Sequence, residues 1–161
     1  MTLDRTTMTR VRVVRQLALV AMTVTLISGC LTIPQSDADE QAAIVADRIL
    51  APRLERELKG VREASEQSRV QAIHSWLAAP DEAFLDSTGG GARWVAGEPD
   101  GSTIPVVVYD LWTDTAFVND SKWGRVCREY DVAATITWRE AACPSGTPDE
   151  PPADAVGEVP Q

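Results

Sequence analysis

Thr103-Ile104-Pro105-Val106-Val107-Val108-Tyr109-Asp110 is the stretch that decides how this chain folds. Its centre, Val106 to Tyr109, is β-branched and aromatic, the composition that suits a pleated, half-buried surface. It belongs to a strand lying between Thr103 and Phe117. Immediately upstream, Glu98-Pro99-Asp100-Gly101 spells a turn, because Pro presets φ and Gly tolerates positive φ. Ala92 to Ala96 precedes that turn as a short strand. Downstream, Asn119-Asp120-Ser121 turns the chain again, and Trp123–Tyr130 and Val132–Ala141 read as a third and fourth strand. In the last of these, Ala134, Ile136 and Trp138 alternate with Thr135, Thr137 and Arg139, the period of two that strands require.

Upstream of Ser87 to Gly91, a glycine-rich connector, the period changes to that of a helix. Ala43, Ala46, Leu50, Leu54, Leu58 and Val61 recur at helical spacing, and Val70, Ile73 and Leu77, joined by Trp76, continue the pattern to Pro80. Asp37 with Glu40 three residues on reads as an N-cap with its capping-box partner. Pro52 lacks an N–H and clashes one turn back, so it kinks the helix or starts a second one. Residues 38–78 are therefore expected to be helical in two or three pieces. Helices grouped before strands, rather than alternating with them, argue for an α+β fold: a helical arm packed on a small antiparallel β-meander.

Residues 37–143 hold this pattern. Residues 144–161 are rich in proline and acidic residues and hold no aromatics, a composition that cannot build a core and is expected to be disordered.

The start of the chain has a different character. Arg5, Arg10, Arg12 and Arg15 precede the apolar run Leu17 to Ile27, and the small residues Ser28 and Gly29 stand before Cys30. A basic start, a short apolar middle and a small-residue end form an export signal. Eleven residues are too few for a hydrocarbon core that needs roughly 20. Leu26-Ile27-Ser28-Gly29-Cys30 resembles the lipobox of signal peptidase II substrates, the bacterial lipoproteins. The resemblance implies removal of residues 1–29 between Gly29 and Cys30, and acylation of Cys30 with palmitate-type chains. It also implies a tether over residues 30–36 and a place on the outer face of the cell membrane. Two or three acyl chains, at about 0.8 kcal/mol per buried methylene, hold far better than one.

Residues 30–161 carry 11 basic and 23 acidic side chains, a formal charge of about −12 against −9 for the whole chain. Such a chain is repelled by nucleic-acid backbones and anionic headgroups, so nucleic acid is excluded as a partner and the acyl chains must supply membrane affinity. With Cys30 committed, Cys127 and Cys143 remain, and an even pair in an exported domain reads as a disulfide. Two thiols without a neighbouring histidine do not complete a tetrahedral metal shell. A tight hairpin centred near Asp131 places Cys127 opposite about Ile136, well short of Cys143, so either the last strand ends near Arg139 or the turn lies elsewhere. Cys127-Arg128-Glu129-Tyr130 with Cys143-Pro144 also resembles a pattern in small lipoproteins of high-G+C bacteria, which brings no activity with it.

His74, the single histidine, lies in the helical segment with no adjacent nucleophile. Gly89-Gly90-Gly91 lacks the Lys-Ser or Lys-Thr of a phosphate loop, and Asp110, Asp114 and Asp120 lack the spacing of a calcium loop. No cofactor or metal is expected. Trp94, Trp112, Trp123 and Trp138 are the candidates for a ligand surface on the sheet, although four large aromatics in a domain this small more often form its core. The sequence thus points to a non-enzymatic binding or accessory module with an envelope protein or small ligand as partner. Two alternatives stay open: a small hydrolase using carboxylates, and a structural protein pairing through an exposed Leu50, Leu54 and Leu58 stripe.

Overall fold

A computed structural model describes residues 33–81, 84, 91–114 and 120–157 of the chain. The signal segment, Gly29 and Cys30 lie outside the described residues, as does most of the Ser87 to Gly91 connector. Among the described residues three α-helices and four strands are laid out in full. They are α1 (Gln35–Ile44), α2 (Ala51–Gly60), α3 (Glu66–Ala78), β1 (Ala92–Ala96), β2 (Thr103–Asp114), β3 (Asp120–Val132) and β4 (Ile136–Glu140), with a π-helical turn at Val45–Leu50 joining α1 to α2.

The helical arm starts earlier than Asp37. Pro34, extended at φ −60° and ψ 142°, caps α1, and its carbonyl accepts from the backbone N–H groups of Asp37 and Ala38. The Asp37–Glu40 capping box does not form, because Asp37 is already inside the first turn. From Gln35 to Gly60 the chain stays helical through Pro52. The π turn falls just ahead of Pro52, and Arg48, whose carbonyl Pro52 cannot serve, belongs to it. Widened turns and prolines are where helices accommodate such a mismatch. α3 has a cap that the sequence reading passes over: Ser65 Oγ accepts from the Ser68 N–H at 3.2 Å.

The strands form one antiparallel meander in the order β1-β2-β3-β4. β2 and β3 make a long hairpin, paired from Thr103↔Asp131 to Asp114↔Asp120. Its even-numbered residues Ile104, Val106 and Val108 are buried with Ala92, Trp94, Tyr130 and Val132 against Leu50, Leu54, Leu58, Ile73 and Leu77 of the helices. Each such aliphatic side chain contributes about 1.5–3 kcal/mol when fully buried. The Leu50, Leu54 and Leu58 stripe is thus the core face of the arm and not an exposed one.

The β3–β4 turn is at residues 133–135, since Val132 pairs with Ile136 and Arg128 with Glu140. This corrects the hairpin near Asp131 and removes the conflict over the cysteines. Moving the turn outward lets the chain run alongside β3 as far as Cys127, where Ala141 N–H donates to the Cys127 carbonyl at 3.2 Å. Two residues later Cys143 bonds to Cys127 at a Cα separation of 5.2 Å, within disulfide reach.

The stretch expected to be disordered is, over residues 144–157, laid across the second face of the sheet. Arg125 on β3 donates to the Thr147 carbonyl, Tyr109 on β2 to the Pro148 carbonyl, and Arg93 on β1 to the Ala155 carbonyl. Val156 then forms an antiparallel bridge with Trp94 through hydrogen bonds of 2.8 and 2.9 Å. Proline lacks a donor but keeps its carbonyl, so a proline-rich strap suits a face that offers Arg and Tyr donors. Tyr109 is 1% exposed beneath it. Helices cover one face of the sheet and this strap crosses the other.

Candidate functional site

The four sheet tryptophans do not gather into one surface. Trp94 is in the core, its Nε1 donating to the Leu77 carbonyl at 2.9 Å and its ring stacked on Trp76 at 6.4 Å. Trp112 and Trp123 are half-buried near the β2–β3 hairpin end, on opposite faces of the sheet. Trp138 is 42% exposed at the opposite end of β3, and the Arg128 guanidinium lies over its ring at 4.9 Å. Register puts Trp94, Trp112 and Trp138 on the helix-covered face and Trp123 on the other. Trp138 is exposed because it lies on the edge strand β4, where the covering helices leave it open.

Arg128 is the buried charge of the molecule's described part, 5% exposed. The π turn supplies its partner: Asp47 accepts from Nε at 2.9 Å and from Nη2 at 3.2 Å, a bidentate geometry. That hydrogen bond, opposed by burial, raises the Arg128 pKa further above its ordinary value. Tyr130 Oη donates to the Ala46 carbonyl of the same turn at 3.0 Å. The Arg128–Asp47–Trp138 group therefore ties the arm to the sheet and orients an exposed ring.

Two polar hollows flank β3. One, of about 440 Å³, is lined by Gln35, Asp39, Ser121, Lys122, Trp123, Arg125, Asp149 and Glu150. β4 does not reach this part of β3, so its outer edge is unpaired by strand. Side chains of α1 serve it instead: Gln35 Nε2 donates to the Trp123 carbonyl at 3.1 Å, and Asp39 Oδ1 accepts from the Arg125 N–H at 3.0 Å. Such coverage protects an edge from pairing with another chain.

The other hollow, of about 410 Å³, is lined by Ser102, Thr103, Glu129, Asp131, Thr137, Trp138 and Arg139. Glu129 and Asp131 share one face of β3, about 7 Å apart along the strand. Both are engaged, Asp131 accepting from Ser102 Oγ at 2.5 Å and Glu129 pairing with Arg139. Sequence reasoning did not single out this pair of acids, although its i, i+2 spacing on a strand was the available signal.

His74 is partly exposed on α3. Asp110, half-buried on β2, has its pKa raised by burial, while the side chains of Asp114 and Asp120 lie outside the described residues. Among the described residues no group of three or more His, Cys, Asp or Glu side chains is placed to hold a metal ion. None of the described helices is long and apolar enough to cross a membrane. Comparison of the chain with known protein families, with curated proteins and with solved structures finds no match.

Proposed function

We propose that this chain is a lipid-anchored protein on the outer face of the cell membrane, acting as a non-enzymatic binding or accessory module. The anchoring half of the reading rests on the Arg-flanked apolar run and the lipobox ending at Cys30. The Cys127–Cys143 disulfide supports it, because such bonds persist in oxidising, extracytoplasmic surroundings. The observation that carries the binding half is the engagement of four of the five carboxylates that line the two hollows, Glu150 being the fifth. Asp39, Asp131, Glu129 and Asp149 each hold an arginine, a backbone N–H or a hydroxyl in place. Acids bound in this way shape a polar surface rather than act as free proton carriers.

Intact-mass spectrometry of the membrane fraction tests the anchor: a mass counted from Cys30 plus acyl groups is expected, and a soluble full-length product contradicts it. In-cell crosslinking of the same protein tests the module, with a reproducible envelope protein or small-ligand partner as the expected result.

The hydrolase alternative is favoured by one feature, the placement of Glu129 and Asp131 on one face of β3 in the same hollow, since glycoside cleavage uses a pair of carboxyl groups. Turnover of an envelope polymer by the purified protein, abolished by E129Q or D131N, would establish that reading in place of ours.

A further inference from the structure

The folded domain begins closer to the lipid anchor than residues 30–36 suggested as a tether. Ile33 is 5% exposed, and its carbonyl accepts from Lys122 Nζ at 3.3 Å. Only three peptide units separate Ile33 from Cys30, a reach of at most about 11 Å when fully extended. An acyl group on Cys30 fixes that residue at the bilayer surface, so the part of the domain around Ile33 is confined there too.

That part is the β2–β3 end of the sheet. Lys122 pairs across the strands with Trp112, and Trp123 pairs with Leu111. The two tryptophans are half-buried and project from opposite faces of the sheet, so both faces present an indole at the same end. Tryptophan favours the boundary between hydrocarbon and water, where its apolar body and N–H donor are both satisfied; Lys122 instead ties this end to the start of the domain through the Ile33 carbonyl. Acidic residues are also near, Asp39 and Asp149 among them. Attraction to anionic headgroups therefore does not drive this contact; the tether and the indoles do.

We propose that the sheet end carrying Leu111, Trp112, Lys122 and Trp123 lies on the bilayer, with both tryptophans at headgroup level. The proposal rests on the lipid-anchor reading. It sets the long axis of the β2–β3 hairpin steeply against the membrane. Trp138, opposite Tyr130 and eight residues along β3 from Lys122, then stands about 26 Å further out.

Acylated full-length protein extracted from membranes and reconstituted in phosphatidylcholine vesicles tests this, with bromines placed near the headgroup end of the acyl chains as quenchers. Tryptophan emission should fall relative to unbrominated vesicles. Most of that loss should disappear in W112F/W123F, while W138F should retain it in full. Each single variant, W112F and W123F, should lose part of the quenching, which keeps the test valid if the double variant folds poorly. Equal emission in brominated and plain vesicles overturns the docking surface, as does quenching that depends on Trp138. If mass spectrometry instead finds Cys30 without acyl groups, the anchor reading itself fails, a result distinct from an acylated protein whose tryptophans are unquenched.

Discussion

Asp47 and Arg128 meet from two elements that the chain separates by 81 residues, in a bidentate pair at 2.9 and 3.2 Å. Asp47 comes from the π turn that precedes Pro52, and Arg128 from the helix-covered face of β3. The pair also holds the guanidinium in place over the Trp138 ring, with Asp47 at its edge and the indole 4.9 Å away. Removing one member leaves the other charge buried without its partner.

Asp47→Ala is therefore expected to destabilise the domain by about 3 kcal/mol, the lower end for a broken buried pair because Asp47 keeps some solvent. Arg128→Met with Asp47→Leu should cost less than Asp47→Ala alone, since neither charge then remains. Urea unfolding of the three proteins checks the order. A double variant less stable than Asp47→Ala would mean that the pair is favourable in itself.

Gly124 is where α1 comes closest to the sheet. A Cβ at that position would lie 1.8 Å from the Ala38 carbonyl oxygen and 2.7 Å from the Asp39 nitrogen. Both are backbone atoms, so no side chain can rotate away. Gly124→Ala should force α1 off β3, break the Asp39 bond to the Arg125 N–H, and cost at least about 1–3 kcal/mol. Gly60→Ala, which meets nothing within 4 Å, should be neutral or mildly stabilising, by up to about 1 kcal/mol for a helical glycine. Thermal unfolding of the two variants side by side separates close approach from a general effect of added methyls.

The strap predicts a linked response. Truncation after Cys143 removes the carbonyls that Arg93, Tyr109 and Arg125 use and uncovers the second face of the sheet. The melting temperature should fall, and Tyr109 should become accessible to solvent. Reduction of Cys127–Cys143 should cost about 3 kcal/mol on the loop-entropy estimate, and more if the strap loosens with it. Hydrogen exchange at the Val156 and Trp94 amides reports the strap directly. Unchanged protection after reduction would show that the β1 bridge holds without the disulfide.

Those elements also mark what could be read from the sequence. The strand Thr103–Asp114 and the helical stripes were legible because burial on one face imposes a local period, and Val106, Val108, Leu54 and Leu58 obey it. The disulfide was legible from the cysteine count. The β3–β4 turn was not, because Ala133-Ala134-Thr135 holds no Gly, Pro or Asn to announce it. The strap was misread for a different reason: its composition is that of a disordered tail, and its order comes from donors on three separate strands. Pro34 displaced the Asp37 cap by starting the helix early. Of the four candidate tryptophans, Trp94 and Trp138 share the helix-covered face, and what separates them is tertiary: the helices cover β1 at Trp94 but leave the edge strand β4 at Trp138 open.

Tyr130 makes the last prediction. Its phenol is fully buried and donates to the Ala46 carbonyl. Burial pushes its pKa far above the ordinary 10.0, the Asp47 carboxylate pushes it further, and Arg128 opposes them. Tyr109 is raised in the same direction, chiefly by burial, with Arg125 lowering it and Asp149 adding to the rise. In the unfolded chain both phenols ionise near pH 10, whereas the folded protein holds their protons more tightly. Their contribution to stability is thus complete below pH 10 and is lost as the pH climbs through the folded values. Alkaline titration should accordingly show little phenolate absorbance near pH 10, then a cooperative rise as the protein unfolds. Tyr130→Phe should lose about 1–2 kcal/mol at neutral pH, because the Ala46 carbonyl is left without its donor. The same variant should lose less stability than the parent on going from pH 9 to pH 11, where one fewer buried phenol has to ionise. Two tyrosines titrating freely near pH 10 in the folded protein would contradict both the burial of Tyr130 and the strap over Tyr109.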